Sequence, residues 1–151
     1  MPYAAVLFVG QGAALTPSLR QHLEHDGFAV LQAVDGPSAM HMVAQGEADL
    51  VLLCASYAPG TEHRNQHGID ACGFLRRLRL CSKVGVIVLS LERDEAIRLY
   101  FLDSGADDCL IWPCNPAELG ARMRAVLRRT LRDVEEPASC VAKAEERVDH
   151  G

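Results

Sequence analysis

A cysteine closes the apolar run Asp49-Leu50-Val51-Leu52-Leu53-Cys54, and a thiol ending a buried strand could serve as nucleophile, redox centre or soft metal ligand. Cys109 and Cys114 belong to the same end of a parallel sheet, if their stretch is a later strand, and with Cys54 they would make a redox group; Cys72, Cys81 and Cys140 complete the six cysteines of the chain. No Cys-x-x-Cys pair and no zinc-type spacing occurs, so the plainer reading is reduced thiols acting as small apolar fillers. A reactive thiol needs a nearby cation or helix N-terminus and access to solvent, and no basic residue neighbours Cys54 in sequence. His63 and His67 have the i, i+4 spacing of a helical metal pair, but Gly60 and Gly68 bracket them and favour a solvated loop. Gly10-Gln11-Gly12 lacks the third glycine and the ribose acid of a dinucleotide cradle and reads as a turn.

The elements that position these residues follow from periodicity. Short apolar runs predict strands β1 (4–9), β2 (29–33), β3 (50–54), β4 (85–89) and β5 (108–111). The first, third and fourth are almost continuously apolar, as strands covered on both faces must be, while β2 and β5 read as edges. Amphipathic segments alternate with them. Thr16 caps α1 with Pro17 at its first position; α2 opens at Pro37 and ends near Gly46; α3 covers 69–80 and α4 covers 93–103; α5 begins at Asn115-Pro116. Strands alternating with helices every 20–25 residues or so predict right-handed crossovers and a doubly wound five-stranded parallel α/β sheet. In such a sheet the site lies outside the carboxyl ends of the strands where winding reverses, which is where Cys54 falls.

Composition narrows the function classes. The chain has 151 residues, 49% hydrophobic and 23% charged, enough for one domain with a short appendage. No apolar run has the roughly 18–20 residues of a membrane span, and Met1-Pro2-Tyr3-Ala4-Ala5-Val6 has no basic n-region, so a cytoplasmic protein is expected. The net charge of −5 is uneven: from Asp133 onward six acids face two bases, a net of −4, leaving about −1 for residues 1–132. The folded part therefore has no field of its own to attract nucleic acid. After Arg132 the pattern gives way to a polar stretch around Pro137.

Over residues 3–132 the chain resembles a response regulator receiver domain of the winged-helix (OmpR/PhoB-type) subfamily. The resemblance is carried by Ala48-Asp49-Leu50-Val51-Leu52-Leu53-Cys54, by Pro59-Gly60 resumed at His67-Gly68-Ile69-Asp70 after the 61–67 insertion, and by Val86-Ile87-Val88-Leu89-Ser90. Gly105-Ala106-Asp107-Asp108, Trp112-Pro113 and Asp35-Gly36 complete it. The resemblance implies the strand order 2-1-3-4-5, flavodoxin-like or CheY-like. The family's active positions are altered. Where the resemblance places two Mg²⁺-binding acids the chain has Gly10 and Gln11; Cys54 stands at the phosphoacceptor aspartate, Trp112 at the lysine and Cys109 at the switch aromatic; only Ser90 matches. Mg²⁺ wants hard oxygen ligands, normally including carboxylate, and phosphoryl transfer relies on a metal and a cation, so no cofactor and no metal are expected. Trp112 is expected to fill the emptied pocket.

The resemblance therefore implies a degenerate receiver, a pseudoreceiver, that is not an enzyme and works without aspartyl phosphorylation. Arg98, Asp107, Asp108, Glu118, Arg122 and Arg124 resemble the charged set with which that subfamily pairs its α4-β5-α5 faces, implying a homodimer. Residues 133–151 read as a linker to a winged-helix DNA-binding domain absent from this chain, so DNA is expected as a partner only through that domain, and no membrane is expected. Two alternatives stand beside this reading. One is a stand-alone adaptor whose partner binds the same face or the 61–67 loop; the other is a thiol-based redox sensor.

Overall fold

The β1, β3 and β4 sequences are apolar at every position but the terminal Ser90 of β4, because the strands they form are covered on both sides. The computed structural model of the protein describes residues 3–10, 15–55, 71–90 and 93–135; Gln11, the 61–67 loop and the tail beyond 135 lie outside them. Five parallel strands, β1 (Ala4–Val9), β2 (Phe28–Ala33), β3 (Leu50–Ala55), β4 (Gly85–Ser90) and β5 (Asp108–Ile111), lie in the order β2-β1-β3-β4-β5. The predicted order and edges are those observed. The register sets Val9 beside Leu53, Cys54 beside Leu89, and Ser90 between Ala55 and Ile111. Winding reverses between β1 and β3, so their carboxyl ends open the crevice at which such sheets place a site.

Helices α1 (Pro17–His25), α2 (Gly36–Ala44), α3 (Ala71–Cys81), α4 (Glu95–Ser104) and α5 (Pro116–Glu135) cover the sheet. Four start where a short polar side chain takes an orphan backbone N–H: Thr16 from Leu19, Asp35 from Ser38, Asp94 from Ala96 and Asn115 from Ala117. Those caps account for the shifts of the helix starts from the predicted positions. Asp35 brings α2 forward to Gly36, and Asp94 delays α4 to Glu95. The α5 helix runs through Glu135, past the boundary expected at 132. Asp133, Val134 and Glu135 are polar enough to resemble a linker, but no helix breaker occurs before Pro137.

Two apolar clusters, one on each face, hold the layers together. One gathers Leu19 and Leu23 of α1 with Leu119, Met123 and Val126 of α5 against Val6, Phe8, Leu52 and Ile87. The other sets Phe74 and Leu78 of α3 and Phe101 of α4 against Leu7, Val51 and Val88. Each such fully buried side chain contributes roughly 1.5–3 kcal/mol. Gly85 lets α5 settle onto the start of β4, because a Cβ there would sit 2.5 Å from Val126 Cγ1 and 3.0 Å from Leu50 Cδ1.

Candidate functional site

The chain leaves β1 through Gly10, whose φ is +141° and whose N–H donates to the Ala33 carbonyl at 3.0 Å. That conformation favours glycine, and space favours it as well. A Cβ on Gly10 would lie 3.0 Å from Cys54 Cβ and 3.5 Å from the Cys54 carbonyl oxygen. The ends of β1 and β3 thus lie close together, and a side chain at position 10 would need Cys54 to give by a few tenths of an ångström. This pairing escaped the sequence reading, although a glycine directly after a buried strand is the signal of close backbone approach.

Cys54 is half-buried and packs against the α1/α5-side cluster, as do Trp112 and Cys114. Trp112 follows β5, donates its backbone N–H to the Ser90 carbonyl at 2.7 Å and joins Pro113 through a cis peptide bond. Ser90 is buried in the middle of this end of the sheet, between β3 and β5. Of the predicted pocket, the structure therefore brings Gly10 against Cys54, ties the Trp112 backbone just after β5 to Ser90, and packs Cys54 and Trp112 on the same apolar cluster. Gln11 lies outside the described residues.

The three thiols do not form one group. Cys109 lies in the opposite cluster, with Ile97 and Phe101 of α4, so the sheet separates it from Cys54 and Cys114. Neighbouring strand-end positions point to opposite faces, which places them on one edge without bringing them together. Burial pushes the Cys54 and Cys114 thiols above their ordinary range. Burial raises Cys109 to about 11, with Arg98 opposing and Asp108 and Glu95 adding to the rise. All three are protonated at neutral pH and are poor nucleophiles.

At the strand ends the described groups that could face an ion are the Gly10 backbone, the Cys54 thiol and the Ser90 hydroxyl. This set does not fit Mg²⁺, the ion the receiver resemblance implies, because it contains no carboxylate. Among the described residues no group of three or more His, Cys, Asp or Glu side chains could hold a metal ion.

The charged residues of the last αβα face are paired within the chain. Arg122 bridges Asp108 at 3.0 Å and Glu118 at 3.2 Å, and those two carboxylates raise its pKa. Arg98 bridges Glu95 at 3.2 Å, a partner the sequence reading did not name. Arg124 is exposed on α5. Asp107 departs from the expected set. Its Oδ2 accepts from Arg79 of α3 at 2.9 Å and from the Val86 N–H at 2.8 Å, which commits it to tying α3 to the sheet. Adjacent residues of an extended segment diverge, so Asp107 pairs with Arg79 while Asp108 pairs with Arg122.

The family model described as "Response regulator receiver domain" matches residues 6–124. The DNA-binding response regulator MtrA of Mycobacterium tuberculosis is 36% identical over 144 residues, covering 95% of this chain and 58% of that protein. The KDP operon transcriptional regulatory protein KdpE of Escherichia coli is 37% identical over 124 residues, covering 82% of this chain and 51% of that protein. The chain thus spans a little over half the length of these two relatives. A two-component response regulator from Clostridium difficile superposes with a TM-score of 0.67 at 21% identity, over 83% of this chain and 97% of that one, a likeness of fold. No helix among the described residues is long and apolar enough to cross a membrane.

Proposed function

The chain belongs to the response regulator receiver family, and we propose that it is an atypical member that works without aspartyl phosphorylation, by holding a transcription regulator in a dimer. The observation that carries the reading is the contact between Gly10 and Cys54. At the two strand ends where the family keeps metal ligand and phosphoacceptor, a glycine backbone lies against a thiol, with 3.0 Å left for a Cβ. The half-buried Trp112 stands at the position of the family's lysine. An acceptor, a metal site and a cation are each needed to neutralise charge in phosphoryl transfer, and none has a counterpart among these residues.

The dimer would form through the α4-β5-α5 face. Arg98, Glu95, Asp108, Glu118 and Arg122 present both signs of charge there, and an isologous interface needs a self-complementary surface. In the dimer these residues exchange intramolecular partners for partners across the twofold axis, with Arg124 beside them. The expected output is DNA binding by a domain outside this chain, as the names of the relatives indicate for those proteins. Pairing receivers raises the effective concentration of paired output domains on adjacent half-sites. The redox alternative draws no support from thiols that burial keeps protonated, with Cys109 across the sheet from Cys54 and Cys114.

Light scattering on the 151-residue chain, with and without Mg²⁺ and beryllofluoride, tests this reading. The expected result is a dimer mass unchanged by either addition. A monomer that dimerises only with both would overturn it.

A further inference from the structure

At the end of the sheet opposite Cys54, the C-terminal part of α3, the start of β5 and the later turns of α5 border an open surface cleft of about 310 Å³ lined by Arg79, Lys83, Asp107, Arg129 and Thr130. Its charges are not equivalent. Arg79 donates to the Gly105 carbonyl at 2.8 Å, to the Val84 carbonyl and to Asp107 at 2.9 Å. Asp107 also accepts the Val86 N–H. These two side chains offset each other and form the rigid floor of the cleft. Thr130 donates its hydroxyl back to the Val126 carbonyl at 3.2 Å. That leaves Lys83 and Arg129, both exposed and both without a hydrogen-bond or ion-pair partner among the described residues.

The surroundings reinforce rather than cancel that charge. Between Ala71 and Ser90 the chain has four bases and no acid, and between Glu118 and Asp133 α5 has no acid either. Three of the four charged side chains lining the cleft are basic, and an excess of one sign of charge concentrates counter-ions. Two cations with no ion-pair partner among the described residues, beside the paired Arg79 and Asp107, match a ligand of two negative charges. An ammonium and a guanidinium are the side chains that hold phosphate oxygens, by point charge and by paired N–H donors respectively. The volume lies at the lower limit of small-ligand pockets, roughly 300–1,000 Å³.

We propose that this cleft is a binding site for a phosphate dianion, free or as the head of a small phosphomonoester, held by Lys83 and Arg129. The site lies at the other end of the β-strands from Gly10, Cys54 and Ser90, and is independent of any phosphorylation at those residues. Occupied, it would tie α3 to α5 at the root of the helix that leads out of the domain.

Nuclear magnetic resonance titration of the 151-residue chain tests the proposal, with inorganic phosphate, O-phosphoserine and, at matched ionic strength, chloride. Saturable shifts at the amides of Lys83, Arg129 and Thr130 are expected with phosphate or its ester and not with chloride. The Lys83→Ala/Arg129→Ala variant should bind at least tenfold more weakly while keeping the spectrum of the folded domain, since both side chains are exposed. Tighter binding of O-phosphoserine would assign the site to an ester, and equal or tighter binding of inorganic phosphate would assign it to the free ion. Shifts that chloride reproduces, shifts confined to Gly10, Cys54 and Ser90, or undiminished binding by the double variant would each overturn the proposal.

Discussion

Replacing Gly10 by alanine probes the geometry on which the functional reading rests. Two costs arise at once. The residue has φ +141°, a region L side chains avoid, and holding one there costs about 1–3 kcal/mol. The new Cβ also meets Cys54 Cβ at 3.0 Å, and overpacking of this kind costs about 1–3 kcal/mol where the neighbour cannot move. The Cys54 Cβ is anchored to a central strand, so relief has to come from backbone shifts. The sum is about 2–6 kcal/mol, and at about 3–6 °C per kcal/mol for a domain of this size the midpoint falls by at least about 6 °C. The two terms separate in a double-mutant cycle. Cys54→Gly removes the clashing atom and leaves the Cys54 carbonyl oxygen, 3.5 Å away, as the nearest neighbour. The pair should therefore be less damaging than the sum of the singles by about 1 kcal/mol, the coupling typical of residues in contact. Urea denaturation of the four proteins gives the numbers. A Gly10→Ala protein as stable as the parent, or a cycle additive to within about 0.3 kcal/mol, refutes the reasoning.

Three further outcomes follow from the same geometry. Cys54→Asp should take up no acetyl phosphate in a Mg²⁺-dependent manner, as judged by intact mass, because Gly10 and Trp112 still supply neither ligand nor cation; uptake by that single variant would sink the phosphorylation-independent reading. Cys109 should resist iodoacetamide at pH 7.5 while the exposed Cys81 reacts, with its labelling rising only toward pH 11. Its folded pKa is raised from 9.0 to about 11, so the folded state keeps its proton longer; the stability this contributes is complete below pH 9 and is lost as pH climbs from 9 through 11, which thermal melts across that window will show. Arg79→Ala should destabilise by about 1.5–3 kcal/mol in urea titration, because the Gly105 and Val84 carbonyls and Asp107 lose a donor together; a loss below about 0.5 kcal/mol would show the bridge to be dispensable.

What the sequence discloses about the fold is what hydrophobic periodicity and capping chemistry encode. The uninterrupted apolar runs of β1, β3 and β4 announce burial on both faces, and the alternation with helices announces a parallel sheet, whereas its order rests on the family resemblance. Helix starts are less legible because a cap residue such as Asp35 or Asp94 competes with nearby prolines and charges for the role. The end of α5 misleads for a different reason: Asp133 and Glu135 carry the composition of a linker, yet polarity does not stop a helix and only Pro137 could. At the site, residue identities could be read but not contacts. Cys54, Cys109 and Cys114 share one edge of the sheet, and only the pleat assigns them to opposite faces. Asp107 and Asp108 are neighbours in sequence, and the same alternation sends one to Arg79 and the other to Arg122.

The contacts at the strand ends also bear on how such a site could change. A receiver that loses its acceptor alone keeps a pocket into which an acid can return by one substitution. On the proposed reading, Gly10, Cys54 and Trp112 are linked through one contact and one shared cluster. Gly10 adopts a conformation that disfavours a side chain, Cys54 crowds the space for one, and Cys54 shares its apolar cluster with Trp112. An aspartate at position 54 would bring a charge to that cluster without a cation beside it, and an aspartate at position 10 would have to rebuild the backbone first. A lysine at 112 would remove an indole from the cluster that now packs there. Each single reversion is therefore opposed by the residues still in place, and only a concerted set would restore the charge balance of a phosphorylation site. The triple variant Gly10→Asp/Cys54→Asp/Trp112→Lys should consequently bind beryllofluoride with Mg²⁺ better than any single variant, by more than the product of the individual effects, as measured by fluorescence-independent calorimetry. Multiplicative single effects would mean that the three positions were lost independently and that the contacts among them are incidental.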